Sequence, residues 1–349
     1  MTRTIRSKRT ILGTATLLSL ALGATACGGA RSGDGAGGDG PQTIKFSHVV
    51  TPETPKGQAA EKFKEVVEEN CGDQLTVEIY PNSELYGDED ELQALQSGAV
   101  QMLAPASAKF TTIAPQLQVL DLPFLFDSVE DIPEVVSPDS AAGQAIYENE
   151  DLAERNIKVL GLWDNGLKQL SSNEKMAAPS DLKGLRFRIQ PSDVLQSQFA
   201  KWGAQTTPMS FSEVYNGLQQ GVIDGQENPY SNIESQNMHT VQKHISESNH
   251  GYIGYVQAVN TEFFDSLSEE AQECVTNASQ EASTYNREVA AQLNQDAKQT
   301  ILDAGTTEIA ELTPQQREAF KAAVVPAVWE EYADVIGEDL VADLLTAQK

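Results

Sequence analysis

An uninterrupted stretch near the C-terminus, residues 268–305, constrains the fold of this 349-residue chain more than any other feature. It contains no proline, and no glycine before Gly305. Ser268 is a favourable helix N-cap, and Gly305 is a favourable residue to end a helix. A continuous helix of this length would extend about 55 Å, at about 1.5 Å per residue, which exceeds the diameter of a domain of roughly 150 residues. The stretch therefore either bridges two lobes or breaks internally.

The rest of the chain alternates predicted strands and helices. Residues 43–50 and 74–81 alternate like strands. Residues 56–72 and 88–98 have helical patterns that end at glycines, and the order helix then strand recurs over residues 192–228. This rhythm indicates α/β lobes with largely parallel sheets, and the chain length suggests about two domains.

One helix start in the second half has a local signature. Ser210 and Glu213 have the Ser-x-x-Glu spacing of a capping box. In such a box the serine and glutamate side chains each accept a backbone N–H of the first turn. The spacing predicts a capped helix that begins here.

The N-terminus is typical of a secretion signal. Four basic residues within the first nine precede an apolar run that is too short for a comfortable membrane span. The small residues before Cys27 resemble a bacterial lipobox, in which the signal peptide is cut before the cysteine and the thiol receives a diacylglycerol. We predict a lipoprotein signal peptide over residues 1–26 and a lipid anchor with a flexible, Gly- and Asp-rich tether over residues 27–42. An ordinary signal peptide cleaved near Ala26 is the alternative.

The charge of the chain limits its partners. There are 51 acidic and 24 basic residues, and the net charge is −27. Removal of residues 1–26, which hold four basic residues and no acidic ones, makes the charge −31. Nucleic acids and anionic membranes require basic patches, so we predict no nucleic acid as partner and membrane contact only through the lipid anchor. An anion site in such a protein must be built from a few enclosed cations.

Two arginines occupy one face of a predicted strand. Arg186 and Arg188 alternate with the apolar residues Leu185, Phe187 and Ile189. Because side chains alternate across a strand, the apolar set faces one way and both arginines the other. The arginines belong either to a solvated face or to an anion site.

No sequence motif of catalysis is present. The chain lacks a Gly-x-Ser-x-Gly elbow, a Walker loop and a His-Glu-x-x-His helix. His239 and His244 lie five residues apart, which does not place both on one helical metal site, and the cysteines lack zinc spacing. We predict no cofactor, no metal and no enzymatic activity. Carboxylates are plentiful, so a secreted hydrolase with an unmarked acid–base pair is the alternative from another class.

The cysteines suggest one bridge. If Cys27 is acylated, Cys71 and Cys274 remain in an oxidising compartment, where an even number of cysteines favours pairing. We predict a disulfide between them. Two unpaired buried thiols are the alternative.

Five long motifs carry a family resemblance. They are FSHVVTPETPKGQAAEKFKE, YPNSELYGDEDELQALQSGAVQMLAPASAKF, DLKGLRFRIQPSDV, PMSFSEVYNGLQQGVIDGQENPYSNI and HTVQKHISESNHGYIGY. Over residues 43–349 the chain closely resembles the solute-binding proteins of tripartite ATP-independent periplasmic (TRAP) transporters. The nearest branch is the DctP type, which binds C4-dicarboxylates.

The resemblance implies a fold. Such proteins have a two-lobed α/β architecture of the periplasmic-binding-protein kind, in which the chain crosses repeatedly between lobes and a long helix spans both. By analogy, lobe I comprises residues 43–165 and 254–293, and lobe II comprises residues 166–253 and 294–349. Cys71 and Cys274 then both belong to lobe I, so a bridge between them would not lock the hinge.

The resemblance also implies a function without chemistry. The protein would sit outside the cytoplasm, anchored by lipid to the outer face of the cytoplasmic membrane. It would capture a small organic acid, such as succinate, fumarate or malate, in the cleft between the lobes. It would then deliver the acid to a TRAP permease made of a small and a large membrane subunit. A sugar acid or another monocarboxylate is the alternative ligand.

Site residues follow from the same resemblance. Arg188 matches the family arginine that forms a two-pronged salt bridge with the ligand carboxylate, whereas Arg186 matches a position outside the ligand's contacts. Asn228 matches the family amide that reaches the ligand. Lys168 matches a position where the sialic-acid branch has arginine and the DctP branch commonly has lysine, which favours a diacid. Positions near the family cleft are also occupied by His48, Lys56, Ser107, Lys109 and Tyr252.

Overall fold

The computed structural model describes residues 41–347. The predicted signal peptide, the predicted lipidation at Cys27 and nearly all of the predicted tether lie outside this range. Among the described residues, no helix is long and apolar enough to cross a membrane. Within the same range, no group of three or more histidine, cysteine, aspartate or glutamate side chains could hold a metal ion.

The first sheet combines strands from distant parts of the chain. Within residues 41–347 it has five strands, in the order β2 (Leu75–Tyr80), β1 (Gln42–Ser47), β3 (Met102–Leu103), β10 (Tyr252–Asn260) and β4 (Ile157–Leu167). β1 is parallel to β2 and β3, whereas β10 is antiparallel to β3 and β4. The chain therefore returns to the first sheet after it has built most of the second.

The second sheet has six strands within the described part of the chain. Their order is β11 (Glu308–Glu311), β9 (His244–Glu247), β5 (Gln169–Ser172), β8 (Gly225–Asn228), β6 (Arg186–Ile189) and β7 (Gln205–Pro208). β6 is parallel to β7 and β8, and β5 is antiparallel to β8 and β9. β4 of the first sheet leads directly into β5 across Lys168, so the chain crosses between the sheets at this residue.

The helices cover both sheets. They are α1 (Pro55–Cys71), α2 (Glu91–Gln96), α3 (Ile132–Val136), α4 (Ala141–Tyr147), α5 (Glu150–Ala153), α6 (Asp193–Lys201), α7 (Val214–Gln219), α8 (Tyr230–Ser235), α9 (Thr261–Ser266), α10 (Glu269–Ala304), α11 (Pro314–Ala322), α12 (Ala327–Glu331), α13 (Ala333–Ile336) and α14 (Glu338–Ala347). Short 3-10 helices include Ser107–Lys109 and Phe211–Glu213.

α10 is the long bridging helix that the sequence predicts. It continues for 36 residues without a break, about 54 Å at about 1.5 Å per residue. The Ser268 hydroxyl accepts the N–H of Ala271 at 3.1 Å, and Gly305 ends the helix with a left-handed φ of 63°. α10 contacts α1 and β4 beside the first sheet, and α8, which follows β8 of the second. The predicted α/β fold with a long helix is confirmed, and the alternative of an internal break is wrong. Both sheets are mixed rather than largely parallel, because β10 and β5 each pair antiparallel with two neighbours.

A disulfide links α10 to α1. In the structure Cys71, the last residue of α1, is bonded to Cys274, and their Cα atoms lie 6.6 Å apart. Both cysteines belong to one apolar cluster, which also contains Phe46 and Phe63. The bridge therefore joins two helices of a single core. Its presence in the mature protein stays a prediction, for which thiol counting is the test.

The C-terminal helices pack against two earlier parts of the chain. The Trp329 indole donates to the carbonyl oxygen of Pro123 at 3.0 Å, and the Trp202 indole donates to that of Phe320 at 3.2 Å. Trp202 directly follows α6. The predicted lobe boundaries stay a prediction.

Candidate ligand-binding site

A small cavity lies where the ends of strands from the two sheets meet. Val50 lies shortly after β1, Gln190 follows β6, and Asn228 ends β8. The lining comprises Val49, Val50, Lys56, Asp88, Ala106, Gln190, Phe211, Asn228, Asn232 and Tyr255. The carboxyl ends of strands are where open α/β folds usually bind ligands, so this cavity is the candidate site.

Arg188 is buried beside this cavity. It lies on β6 between two neighbouring strands and is only 1% exposed. Its Nε donates to the Met209 carbonyl oxygen at 2.9 Å, whereas Nη2 is buried without a hydrogen-bond partner among residues 41–347. Burial lowers the pKa of Arg188, and Asp88 and Glu227 oppose that shift. A guanidinium does not lose its proton at working pH, so Arg188 keeps a buried charge with a spare donor.

Arg186 occupies the same face of β6 but a different environment. Its side chain is 41% exposed and forms two hydrogen bonds to the carboxylate of Asp224, at 2.9 and 2.8 Å. It also donates to the Gly221 carbonyl oxygen at 2.8 Å. Arg186 therefore belongs to the surface, as the family resemblance implies, and Arg188 belongs to the interior.

Lys56 contributes a second buried cation from the first turn of α1. It is 1% exposed, donates to the Ala104 carbonyl oxygen at 3.1 Å and lies 4.0 Å from the centre of the Tyr255 ring. The carbonyl and the ring face both favour a cation at this position. Burial lowers the pKa of Lys56 to about 8, although Glu91 and Asp88 oppose that shift.

Lys109 and Asp88 form an ion pair at the same site. Their side chains are 7% and 5% exposed, and Nζ lies 3.3 Å from Oδ1. The other oxygen of Asp88 accepts the backbone N–H of Phe211. Burial alone would raise the pKa of Asp88, but Lys109, the Phe211 N–H and Arg188 together bring it below its ordinary value. Asp88 is therefore an ionised member of the cluster.

Asn228 presents an amide to the cavity from the end of β8. Its Nδ2 donates to Oε1 of Gln226, and its Oδ1 accepts Nδ2 of Asn232 at 2.9 Å. All three amides are buried, at 0 to 3% exposure. The chain of amides fixes the orientation of Asn228.

Lys168 is held by a carboxylate at the crossing between the sheets. Its Nζ donates to Oε1 of Glu227 at 2.8 Å, and the other oxygen of Glu227 accepts Nε2 of His250 at 2.8 Å. Nδ1 of His250 in turn accepts the Ser248 hydroxyl at 2.7 Å. Burial would raise the pKa of Glu227, but Lys168 and His250 bring it below its ordinary value. The charge of Lys168 is therefore neutralised within the protein.

The Tyr252 hydroxyl is also engaged in a hydrogen bond within the protein, near the crossing between the sheets. Its hydroxyl donates to Oδ1 of Asp164, while Nε of Arg287, on α10, donates to Oδ2 at 3.1 Å. The side chain of Asn286 accepts the backbone N–H of Asp164 and donates to the carbonyl oxygen of the same residue. This network attaches the middle of α10 to β4.

The last two predicted residues are buried near the lysines. His48 lies beyond the end of β1, and neither ring nitrogen has a hydrogen-bond partner within residues 41–347. Burial, followed by the charge of Lys56, lowers the pKa of His48 to about 3, so its ring is neutral at neutral pH. Ser107 is 3% exposed and begins the 3-10 helix that carries Lys109.

The structure thus groups some predicted residues and separates others. Lys56 and Asn228 line the cavity, and Arg188 and Lys109 lie beside it through their interactions with Asp88. Lys168 instead forms an ion pair with Glu227, and the Tyr252 hydroxyl is hydrogen-bonded to Asp164.

Sequence reasoning missed three members of the cluster: Asp88, Glu91 and Tyr255. Asp88 and Glu91 belong to an acidic run that is typical of a solvated helix start, whereas their side chains are buried. Tyr255 belongs to the nearly continuous apolar run of residues 252–259, which does not show which side chains of the strand line a cavity.

Comparisons with known proteins agree with this architecture. The family profile of "Bacterial extracellular solute-binding protein, family 7" (DctP) matches residues 46–334. The C4-dicarboxylate-binding periplasmic protein DctP of Rhodobacter capsulatus is 44% identical over 308 residues, which cover 88% of this chain and 91% of that protein.

Two solved structures show the same fold. A TRAP periplasmic solute-binding protein from Shewanella oneidensis with bound succinate has a TM-score of 0.84 and 40% identity, covering 88% of this chain and 100% of that one. A TRAP periplasmic solute-binding protein from Sulfitobacter with bound β-D-galacturonate has a TM-score of 0.79 and 27% identity, covering 87% and 98%.

These similarities span nearly the whole described part of the chain and confirm the family that the sequence motifs indicate. Members of this family are periplasmic transport components, so the hydrolase alternative is wrong. The chain belongs to the bacterial extracellular solute-binding proteins of family 7, the DctP family of TRAP transporter solute receptors.

Proposed function

We propose that this protein captures a C4-dicarboxylate such as succinate, fumarate or malate and delivers it to a TRAP permease of one small and one large membrane subunit. The observation that carries the proposal is the burial of Arg188, Lys56 and Lys109, at 1%, 1% and 8% exposure, in a chain of net charge −27. Buried cations cost free energy unless an anion compensates them. A small dianion supplies that compensation.

Each carboxylate has its own partner in this proposal. The rigid donor fork of Arg188 fits the two oxygens of one carboxylate, with the Asn228 amide beside it. Lys56 and Lys109 hold the other carboxylate, because an unpaired buried charge costs about 3–5 kcal/mol. We give the role that the family resemblance assigns to Lys168 to these two lysines. Glu227 alone neutralises Lys168, whereas Lys56, Lys109 and Arg188 share the single ionised carboxylate of Asp88.

The relatives support a diacid over a sugar acid. The relative that is named for C4-dicarboxylates is 44% identical, and the succinate-bound structure is 40% identical. The galacturonate-bound structure is 27% identical. A sugar acid or other monocarboxylate is the second candidate, since the amides of Gln190, Asn228 and Asn232 in the cavity lining could bind hydroxyl groups.

Capture in this proposal requires no bond to be made or broken. The cavity walls come from both sheets, so the acid enters when the predicted lobes separate and is enclosed when they return. The walls are linked by the Asp88 carboxylate, which accepts the Phe211 N–H, and by Ser210, which donates to Glu89 at 3.4 Å. Closure excludes water and strengthens each charged contact.

The proposed location is the outer face of the cytoplasmic membrane, with Cys27 as the lipid anchor. The support is the lipobox-like sequence before Cys27 and the periplasmic family. Metabolic labelling with a radioactive fatty acid tests this proposal: we expect label on the wild type and none on Cys27→Ser. Label on both proteins, or on neither, would contradict it.

The ligand class is tested by identifying the acid that the protein retains. We expect mass spectrometry of the purified, then denatured protein to release a C4-dicarboxylate in about equal molar amount. A sugar acid or a monocarboxylate in that amount would support the second candidate instead. Turnover of an added substrate without retention of an acid would contradict both.

A further inference from the structure

Glu91 is a buried carboxyl group without a compensating partner. It is the first residue of α2 and is 1% exposed. Its Oε1 lacks a hydrogen-bond partner, and Glu91 takes part in no ion pair within residues 41–347. The charged and titratable groups around it come from every neighbouring element: Asp88 from the preceding loop, Lys56 from α1, Lys109 from the 3-10 helix and Tyr255 from β10.

Each cation near Glu91 already has another partner. Lys109 lies 3.3 Å from Asp88, and Lys56 is bonded to the Ala104 carbonyl oxygen above the ring of Tyr255. A buried carboxylate without a bonded cation or donor is costly, so such a group keeps its proton. In agreement, burial, followed by the charge of Asp88, raises the pKa of Glu91 to about 8.

The protonation of Glu91 sets the charge that a ligand meets. With Glu91 neutral, Arg188, Lys56 and Lys109 face one ionised carboxylate, Asp88, and the cluster has a charge of about +2, which balances a dianion. With Glu91 ionised, or with Lys56 deprotonated, the cluster has one positive charge fewer. A bound dianion therefore favours the state in which both Glu91 and Lys56 carry their protons.

We propose that the site binds a dicarboxylate together with a proton, and that Glu91 is the residue that holds this proton. The proton comes from solvent, no bond of the ligand changes, and the proton returns to solvent when the acid leaves. This inference rests on the proposed function, because a monocarboxylate would leave the cluster with a positive charge and would not require the proton.

The direction of the pH dependence follows. The pKa of Glu91 is about 8 without ligand and rises further when a dianion binds, so proton uptake begins near pH 8. Affinity should then be nearly constant between about pH 7 and 8. Above about pH 8 it should fall by up to about tenfold per pH unit through Glu91 alone, and more steeply because Lys56, whose pKa is also about 8, takes up a second proton.

The experiment is calorimetric titration of the full-length protein with succinate at about pH 8.5, in buffers that differ in ionisation enthalpy. We expect the observed heat to depend on the buffer, with uptake of up to about one proton on Glu91 and up to about one on Lys56 per succinate bound. In Glu91→Gln we expect the proton uptake to fall by the share of Glu91, up to about one proton, and the affinity loss above pH 8 to become shallower. Asp90→Asn, which removes the adjacent exposed carboxylate, is the matched control and should keep both.

Succinate binding without proton uptake would overturn the inference and leave the proposed function intact. Proton uptake that is undiminished in Glu91→Gln would also overturn it, because the proton would then reside on Lys56 or elsewhere. If Glu91→Gln does not fold, infrared difference spectra of wild type with isotope-labelled glutamate decide. Addition of succinate above pH 8 should produce the carbonyl band of a neutral carboxylic acid, and its absence would contradict the inference. Failure to bind any C4-dicarboxylate would reject the proposed function and this inference with it.

Discussion

Two arginines two residues apart show how the site depends on single positions. Arg186 and Arg188 share one face of β6. Arg186 forms an ion pair with Asp224 at the surface, whereas Arg188 is buried and interacts with the charge of Asp88. The sequence pattern predicts the shared face. It cannot predict burial, which depends on the loops that cover the end of the strand, such as the one that carries Met209.

Arg188 should be the residue on which acid binding most depends. We expect Arg188→Ala to lose about 2–5 kcal/mol of binding free energy, or roughly 30- to 5000-fold in affinity, because one partner of a buried charged pair is removed. Calorimetric titration with succinate measures the loss, and circular dichroism checks the fold. Arg186→Ala is the control and should bind nearly as well as wild type. Affinity of Arg188→Ala within a few-fold of wild type would reject its assignment.

Lys168 should affect stability more than binding. In Lys168→Met, Glu227 would keep only the hydrogen bond from His250, and breaking such a buried pair costs about 3–5 kcal/mol of unfolding free energy. Denaturant unfolding measures this loss. The double variant Lys168→Met with Glu227→Gln should recover part of it, because no charge is then left unpaired. Lys175→Met, which removes an exposed ion pair with Glu308, should change little.

The opposite result would place Lys168 in contact with the ligand. If Lys168→Met unfolds at nearly the wild-type denaturant concentration but loses succinate affinity by a hundredfold or more, Lys168 contacts the ligand. The role that the family resemblance gives it would then stand, and the assignment to Lys56 and Lys109 would be wrong.

Elements with strong local signals were predictable. α10 follows from its serine cap, its closing glycine and the lack of breakers between them, and α1 follows from its apolar face. The predicted capping box at Ser210 is wrong. Ser210 donates to Glu89, the Phe211 N–H meets Asp88, and the segment forms a 3-10 helix without a side-chain cap. Contacts from a distant loop replaced the local ones, and a sequence pattern contains no information about that loop.

The bridge between α1 and α10 should be present in the secreted protein. In a Cys27→Ser variant, thiol titration under denaturing, non-reducing conditions should detect no thiol, because Cys71 and Cys274 are paired. Reduction should then lower the free energy of unfolding by about 2–5 kcal/mol. Two titratable thiols in the unreduced variant would contradict the pairing.

At the scale of the whole molecule, the order of the strands in each sheet could not be predicted from local sequence patterns. β10 joins the first sheet more than 140 residues after β3, and β11 closes an edge of the second sheet. Such pairings depend on the packing of distant segments, and only the family resemblance implied repeated crossing. Composition contributed a different kind of information, because so acidic a chain needs local cations to bind an anion. In the structure Lys56 lines the cavity, and Lys109 and Arg188 interact with Asp88 of the same lining.

The measurement that tests the central claim most directly is a ligand panel on protein from which any retained acid has been removed by unfolding and refolding. The unfolding midpoint is compared at one pH and one salt concentration with C4-dicarboxylates, sugar acids and monocarboxylates. At a hundredfold excess over the dissociation constant, a C4-dicarboxylate should add about 2.7 kcal/mol to the free energy of unfolding, while galacturonate and acetate should leave the midpoint unchanged. Strong stabilisation by a sugar acid or a monocarboxylate, with no effect of any C4-dicarboxylate, would contradict the account.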